Sequence, residues 1–449
     1  MTTAVRTRSM SAVVLAAACA TAIGMTPAVQ SGLRTLATEV GLAANLGWIM
    51  GGTGNPIPDS NYLGNVETLY LNDSYLPNAD SYSFVGLTTP EQFCPIICSP
   101  DQPYLTFGDS VDVGVGNLNT TVLPALADNE VSVLGYSQSA TVATVWMNQL
   151  IDSNNPNLDN LHVTLLGDPN NVVSGILDRF QFADGTHLPF LNIPLDLSPT
   201  PTEGIDTDVF IGQYDGWNSF PSDPSNLYAV LNALIGIQTV HPYYPDPEAG
   251  VNLDIGNVID LGKIGDTNFY SIPAPLPTLA FMYDGGPVGR FFYDSFSPYA
   301  TLMNNWAYGN PGDPFVGVNG TDAIGPWQVD AYGQLMESGV AGFFLKMDPL
   351  QMLAGMQYAA AQTIIGPTND ILSALGQPDL SPSVVDSLMS GYDFTNQLDT
   401  MFLAQLEMLS ATFPSLAPDV LFDGSPLISA QPLIDLVGYG FDIFNGFGA

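Results

Sequence analysis

Short apolar runs alternate with longer stretches of helical spacing through the first half of the chain. Each run is five or six residues long and ends near a glycine or a polar turn, which is typical of buried strands. The runs cover residues 45–50, 131–135, 162–166 and 208–212, and the helical stretches cover 109–127, 140–151 and 226–237. Strands that alternate with helices predict a mostly parallel sheet, with functional groups at the carboxyl ends of its strands.

Beyond about residue 290 the alternation gives way to helical spacing, for example over 331–345 and 350–364. We therefore predict an α/β domain over residues 29–290 and a mainly helical extension over 291–449. The tail, 434–449, is apolar and aromatic. It either packs on the core or forms a contact surface, and we expect packing.

The first 28 residues have the pattern of an export signal. Arg6 and Arg8 precede an apolar stretch, 12–25, and small residues with Pro27 precede a cleavage site after Ala28. An uncleaved anchor is the alternative interpretation. Lipid attachment at Cys19 is disfavoured, because alanine stands where lipoprotein signals place leucine. We expect a secreted or cell-envelope protein.

The chain is acidic because it lacks cations. Its 449 residues include 7 Lys and Arg against 44 Asp and Glu, a net charge of −37, while 46% of residues are apolar and 11% charged. This composition predicts a folded protein. Such a surface repels phosphates, so we expect no nucleic-acid partner and no electrostatic attachment to anionic membranes, whereas lipid contact in the envelope stays open.

Two cysteines follow the signal, Cys94 and Cys98. In an exported chain, this spacing favours a disulfide that closes a surface loop. The three histidines, His162, His187 and His241, have no ligand-pair spacing. We therefore expect no metal centre, and we find no pattern that predicts a cofactor.

A candidate nucleophile stands at the end of the second apolar run. Residues 131–140 read VSVLGYSQSA, so Ser137 lies between a strand and a helix. A serine on such a sharp turn needs small residues two places away on each side. Gly135 meets this demand fully and Ser139 less so. The alternative is a structural turn without chemistry.

A serine nucleophile needs a histidine base and a carboxylate that orients the base. His241 and Asp215 give the chain order serine, acid, histidine that is typical of α/β-hydrolases. Asp215 follows the second strand after that of Ser137, where the acid usually stands. Three alternatives are disfavoured: His162 opens a strand at the far end, His187 lies in a loop, and Asp168 fits a strand-ending turn.

Backbone donors for an oxyanion are predicted at two places. The N–H of Gln138 directly follows the nucleophile, and the glycine-rich loop 51–54, with Gly52 and Thr53, follows the first strand. A phosphate-binding loop is the rival interpretation. The loop lacks the lysine and spacing that such a site requires.

Several segments together resemble one known family. GWIMGGTGNPIP, LGYSQSATVA, LLGDPN, IGQYDGW followed by FPSDP, and NALIGIQTVHPYY occur in this order over roughly residues 46–244. They are similar to the mycobacterial PE-PPE domain, a cutinase-like serine hydrolase domain, whose G-x-S-x-S/T form fits Ser139.

The resemblance implies a cutinase-like α/β-hydrolase fold, with serine, aspartate and histidine at Ser137, Asp215 and His241. It also implies esterase or acyltransferase activity on acyl esters, with envelope glycolipids as substrates. An export signal stands where the family has its PE or PPE module, so we carry over no partner or secretion route.

The leading hypothesis is therefore a secreted serine carboxylester hydrolase acting on acyl esters or lipids. A glycolipid acyltransferase is its near variant, since only the acyl acceptor differs. A non-catalytic envelope protein that keeps the fold and binds lipid is the rival.

Overall fold

The structure is a computed structural model, and it describes residues 45–100, 103–180, 182–249, 253–283, 285–308, 342–346, 348–422 and 426–446. The predicted export signal, Cys19 and residues 331–341 lie outside this range. The expectations that concern them stay predictions.

A seven-stranded sheet organises the first half of the described chain. Its spatial order is β2-β1-β3-β4-β7-β9-β8, and all neighbours are parallel except the antiparallel pair β8 and β9. A hairpin of β5 and β6 stands apart from it. The strands are β1 Asn45–Ile49, β2 Tyr82–Gly86, β3 Val131–Tyr136, β4 Leu161–Leu166, β5 His187–Leu188, β6 Ile193–Pro194, β7 Asp206–Gly212, β8 Ile259–Ile264 and β9 Thr267–Ile272.

Helices connect these strands and continue into the extension. Asp59 caps the first helix, and Thr106 with Asp109 forms a capping box at the second. The helices are α1 Ser60–Tyr70, α2 Phe107–Thr121, α3 Gln138–Asp152, α4 Leu227–Thr239, α5 Ala280–Tyr283, α6 Gly286–Trp306, α7 Pro349–Ala374, α8 Pro382–Ser410, α9 Pro418–Leu421 and α10 Gln431–Gly446.

The sheet separates two hydrophobic cores. Along β3, Val131 and Val133 pack against α2 and α3 on one face, whereas Leu134 and Tyr136 pack with α1 on the other. This period of two follows from the pleat of a strand that is buried on both faces. The predicted fold class is therefore confirmed: a mostly parallel α/β-hydrolase sheet followed by a helical extension.

Three kinds of difference separate the sequence prediction from the structure. Strands β2, β8 and β9 were not predicted, because β2 and β8 are largely exposed and lack a continuous apolar run. The helix predicted over 331–345 is wrong at its end: Gly342–Leu345 is a strand, β10, paired with β11, Pro426–Ser429. The predicted boundary at residue 290 falls inside α6.

The tail was predicted to pack on the core, and this is wrong for most of its side chains. In α10, Ile434 is buried against Phe180 and Phe182, whereas Tyr439 is 70% exposed and Phe444 57% exposed. Only a narrow face of the helix is therefore covered. No helix in the described parts of the chain is long and apolar enough to cross a membrane.

Candidate active site

Ser137 occupies a strained turn at the carboxyl end of β3. Its backbone has φ 58° and ψ −117°, in a region that non-glycine residues rarely adopt. The strand ends at Tyr136 and α3 begins at Gln138. The turn lifts the Ser137 side chain clear of the sheet, at the edge where active sites of parallel sheets lie.

The residues on either side of the serine explain how the turn closes. A Cβ at Gly135 would lie 2.6 Å from the carbonyl oxygen of Ser139. Only glycine fits there. Ser139 is fully buried, and its Oγ accepts from the Tyr136 N–H at 2.8 Å and donates to the Tyr136 carbonyl at 3.1 Å. The serine in this position therefore stabilises the turn through bonds that a glycine could not make.

The structure brings Ser137, His241 and Asp215 together. His241 Nε2 lies 2.7 Å from Ser137 Oγ, and His241 Nδ1 lies 2.7 Å from Asp215 Oδ2. A carboxylate only accepts, so Nδ1 carries the proton and Nε2 is left to accept from the serine hydroxyl. Asp215 is fully buried and His241 is nearly so.

Two tyrosines that sequence reasoning gave no role position the acid and the histidine. The Tyr244 hydroxyl donates to Asp215 Oδ2 at 3.0 Å and accepts from the Gly212 N–H at 2.6 Å. Burial, and then the charge of Asp215, hold the pKa of Tyr244 well above its usual value, so this hydroxyl keeps its proton. The Tyr136 hydroxyl donates to the carbonyl of His241.

The glycine-rich loop lies beside the nucleophile. Ile49 at the end of β1 pairs with Leu134 in β3, which sets residues 51–54 level with Ser137. A Cβ at Gly52 would lie 3.3 Å from Cβ of Ser137 and 2.9 Å from the Tyr136 ring. Gly52 therefore lies beside the nucleophile, and the backbone N–H groups of Gln138, Gly52 and Thr53 stay the predicted oxyanion donors. Gln138 is the first helical residue, whose N–H has no intrahelical partner.

The sequence matches a family model described as the PE-PPE domain over residues 80–308, just over half of the chain. The chain belongs to the PE-PPE domain family. The match includes Ser137, Asp215 and His241 but begins after the loop 51–54.

Two curated relatives from Mycobacterium tuberculosis illustrate the family. Esterase PE16 is 39% identical over 214 residues, which are 47% of this chain and 38% of that protein. Diacyltrehalose acyltransferase Chp2 is 30% identical over 144 residues, which are 31% of this chain and 39% of that protein. The chain thus matches less than half the length of either relative.

Among solved structures, a cutinase-like protein from Cryptococcus sp. aligns with 30% of this chain and 58% of its own. The sequence identity is 17% and the TM-score 0.22.

The other histidines of this PE-PPE domain chain lie away from Ser137. His162, at the start of β4, contacts Asp206 at 2.9 Å and Asp208 at 3.4 Å, at the amino end of the sheet. Burial lowers the pKa of His162, but the hydrogen bonds to the two aspartates outweigh it and raise the pKa to about 9. His187 Nδ1 lies 2.7 Å from the carbonyl of Gly185 in the β5 hairpin.

Asp168, the alternative acid, has a structural environment. Its Oδ2 accepts from the Thr200 hydroxyl at 2.6 Å, and its Oδ1 accepts from the Asn170 N–H at 2.9 Å. Burial raises the pKa of Asp168 to about 6 despite these bonds. The side chain closes a turn after β4 and fastens the segment around Thr200.

A hydrogen-bond network connects the nucleophile turn to the segment before α2. The Gln138 side chain donates to the carbonyl of Gln92 at 2.7 Å, and the Gln92 N–H donates to the Ser110 hydroxyl at 3.0 Å. The preceding residue, Glu91, accepts from the Gly54 N–H through its carbonyl at 2.8 Å. One connected segment therefore contacts both predicted sources of oxyanion donors.

Glu91 itself is an unusual residue for this position. Its backbone has φ 48°, its side chain is 1% exposed, and neither carboxyl oxygen has a hydrogen-bond partner of ordinary geometry among the described residues. Burial raises the pKa of Glu91 to about 8, although the nearby Thr89 hydroxyl lowers it. A neutral carboxylic acid therefore lies behind the glycine-rich loop at neutral pH.

The two cysteines are paired near the same loop. Cys94 and Cys98 form a disulfide within a loop whose Ile97 side chain would lie 3.5 Å from a Cβ at Gly54. Ile96 is 61% exposed and Ile97 43% exposed, so apolar side chains border this end of the site. In the part of the chain that the structure describes, no three His, Cys, Asp or Glu side chains form a set able to hold a metal ion.

Proposed function

We propose that this protein is a serine carboxylester hydrolase that acts on acyl esters or lipids through an acyl-enzyme. The observation that carries the proposal is the continuous contact from Asp215 through His241 to Ser137, with both distances at 2.7 Å. Structural serines do not require a histidine that is oriented in turn by a buried carboxylate.

In the first half of the reaction, Ser137 Oγ attacks the ester carbonyl while His241 Nε2 takes its proton. Asp215 fixes the tautomer of His241 and stabilises the imidazolium that forms. The oxyanion accepts from the N–H of Gln138 and from the loop containing Gly52 and Thr53. His241 then protonates the leaving alcohol, and the acyl group remains on Ser137.

In the second half, a water molecule takes the place of the alcohol. His241 removes its proton, the water oxygen attacks the acyl carbonyl, and Ser137 leaves with a proton from His241. Loss of one oxyanion donor typically lowers kcat about 10²–10³-fold, so the rate also depends on the placement of the glycine-rich loop.

The substrate class follows from charge and from the relatives. A chain with net charge −37 attracts neither phosphates nor anionic headgroups, which favours neutral acyl esters. Esterase PE16 and diacyltrehalose acyltransferase Chp2 carry names that concern ester chemistry. Envelope glycolipids fit this class.

Acyl transfer to a sugar hydroxyl is the second candidate function, and the name of Chp2 favours it. The chemistry at Ser137 is the same up to the acyl-enzyme. Whether water or a sugar accepts the acyl group depends on acceptor binding and water exclusion.

Export is part of the same proposal. Arg6, Arg8 and the apolar stretch that follows them support secretion or attachment at the cell envelope. Mass spectrometry of the amino terminus of the protein recovered from culture medium and from the envelope fraction tests cleavage after Ala28 against an uncleaved anchor.

The deciding experiment is labelling of the purified protein with a fluorophosphonate probe, which needs an activated serine and no knowledge of the substrate. We expect wild type to be labelled and Ser137→Ala not to be. Ser132→Ala is the matched control, because Ser132 is a serine of the same strand, fully buried within β3 and away from the turn that carries Ser137. A folded wild type that resists labelling while it binds lipid would instead support the non-catalytic envelope protein.

A second assay separates the two enzyme activities. The protein is given an acyl ester with and without trehalose, and the products are identified by mass spectrometry. Free acid alone indicates hydrolysis, whereas acylated sugar indicates transfer.

A further inference from the structure

A cavity of about 370 Å³ lies between the sheet and the helical extension. Residues after β7 and after β9 form one side of it, and side chains of α6 and α7 form the other. Ser137, Asp215 and His241 are not among its lining residues. Cavities of this size are large enough for small-molecule ligands.

The lining combines tyrosine rings with hydrogen-bonding groups. Tyr283 and Tyr293 contribute rings, and Asp294, Thr301 and Gln362 contribute a carboxyl, a hydroxyl and an amide. An acyl chain in this cavity would leave these groups without partners, so the lining disfavours an apolar ligand.

Several polar side chains that line the cavity have unused hydrogen-bonding capacity. The buried Gln213 accepts from the Ala274 N–H through its amide oxygen at 3.1 Å, and its amide nitrogen has no partner among the described residues. The side chains of Thr301 and Gln362 likewise have no hydrogen bond within the described parts of the chain. These groups are available to a ligand that offers both donors and acceptors.

The charge of the lining narrows the ligand further. Asp254 and Asp294 contribute carboxyl groups and no lysine or arginine lines the cavity. Arg290 stacks on the Tyr283 ring, 3.8 Å from its centroid, outside the lining. The two carboxyl groups of the lining nevertheless disfavour phosphates, sulfates and fatty-acid carboxylates. Tyrosine rings suit the C–H faces of a sugar, while amide, hydroxyl and carboxyl groups suit its hydroxyls.

We infer that this cavity is a binding site for a neutral sugar or similar polyol, held at the junction of the hydrolase domain and the helical extension. The inference concerns binding alone and holds whether or not Ser137 turns over esters. It gives the extension a role, because α6 and α7 supply half of the residues that line the cavity.

The test measures binding of trehalose, an uncharged disaccharide that offers only hydroxyl and ether oxygens, to the full chain by calorimetry and by saturation-transfer NMR. The Ser137→Ala variant is measured beside wild type. Because it lacks the proposed nucleophile, its binding of trehalose is independent of whether the protein hydrolyses esters. We expect saturable binding to both, with equal affinity.

Variants of the lining locate the site. Thr301→Val and Gln362→Leu should each weaken binding about tenfold, the usual effect of one lost hydrogen bond to a ligand. Thr368→Val and Gln351→Leu make the same chemical changes on α7 outside the cavity lining and should bind as wild type. Circular dichroism melts establish that each variant is folded.

Three outcomes would overturn the inference. The first is the absence of saturable trehalose binding, and the second is equal binding by wild type and both lining variants. The third is binding of ethylammonium, a small organic cation titrated in parallel, without any binding of trehalose. The last result would identify a cation site formed by Asp254 and Asp294.

Discussion

The Tyr244 hydroxyl and the Asp215 carboxylate share a buried hydrogen bond of 3.0 Å, made to the same Oδ2 that faces His241. Tyr244 also accepts from the Gly212 N–H at 2.6 Å and from the Asn218 amide at 2.8 Å. One hydroxyl therefore connects the end of β7 to the acid. Tyr244 is a positioning residue, because it acts on the histidine through Asp215.

Tyr244→Phe should change both stability and the pH dependence of ester hydrolysis. Two buried donors lose their acceptor, which costs roughly 1–3 kcal/mol in the free energy of unfolding. The carboxylate, deprived of one donor, attracts the proton on His241 more strongly, so the acid limb of the pH–rate profile should move to higher pH. Urea denaturation and pH–rate measurements check the two effects.

Tyr243→Phe is the control for that variant. Tyr243 is the neighbouring residue, partly exposed, and its hydroxyl has no hydrogen bond within the described part of the chain. A Tyr244→Phe protein with the same stability and pH profile as Tyr243→Phe would contradict the positioning role.

Glu91→Gln should make the protein more resistant to alkaline pH. The pKa of Glu91 is about 8 in the folded protein against 4.5 for an unperturbed glutamate. The folded form therefore keeps the proton while the unfolded form loses it, and wild type loses stability as pH rises from about 4.5 to about 8. The neutral amide escapes this loss, about 3 kcal/mol at pH 7.

Thermal melts of wild type and Glu91→Gln between pH 4.5 and 9 measure the difference. Because the Glu91 carbonyl accepts from the Gly54 N–H, hydrolytic activity of the variant should also persist to higher pH than that of wild type. Glu67→Gln, at an exposed position of α1, is the control. Melting temperatures that run parallel for wild type and Glu91→Gln over this range would refute the argument.

His162 should stabilise the protein at low pH and lose that contribution as pH rises. Its pKa is about 9 in the folded protein and 6.5 without perturbation, so its contribution is full below about pH 6.5 and lost as pH rises through about 9. The contribution is at most about 3 kcal/mol, because Asp206 is half exposed to solvent.

His162→Gln tests this contribution. The variant should be less stable than wild type at pH 6, and the gap should narrow by pH 9.5, as measured by urea midpoints. His187→Gln removes a partly exposed histidine and should show no such gap. A pH-independent difference for His162→Gln would instead indicate that its packing matters and its charge does not.

Ser139→Ala should loosen the turn that carries Ser137. The substitution removes the acceptor of the buried Tyr136 N–H, at a cost of roughly 1–3 kcal/mol in the free energy of unfolding. We expect slower fluorophosphonate labelling of Ser137 in addition to a lower melting temperature. Ser139→Gly should be no better, because glycine restores neither hydrogen bond, and recovery of wild-type labelling by glycine would rule out this role for the hydroxyl.

The sequence by itself determined the strands and helices whose buried residues form an uninterrupted local pattern. The strand before Ser137, the glycine at 135 and the helix after it are local features, since a strained turn and a fully buried strand leave their pattern in ten consecutive residues. The order of Ser137, Asp215 and His241 could also be predicted, because each candidate follows an apolar run or a helix in a parallel sheet. Whether the three perform catalysis stays a prediction.

Only the tertiary structure decided which distant segments meet. The bond from Tyr244 to Asp215 and the contact of Glu91 with Gly54 join residues 29 and 37 positions apart, and no periodicity along the chain records such pairs. The exposed strands β2 and β8 were missed because they owe their pairing to neighbours in the sheet. The apolar tail shows the same limit: hydrophobicity shows that a helix has a face to cover, whereas the packing of the other elements decides whether anything covers it.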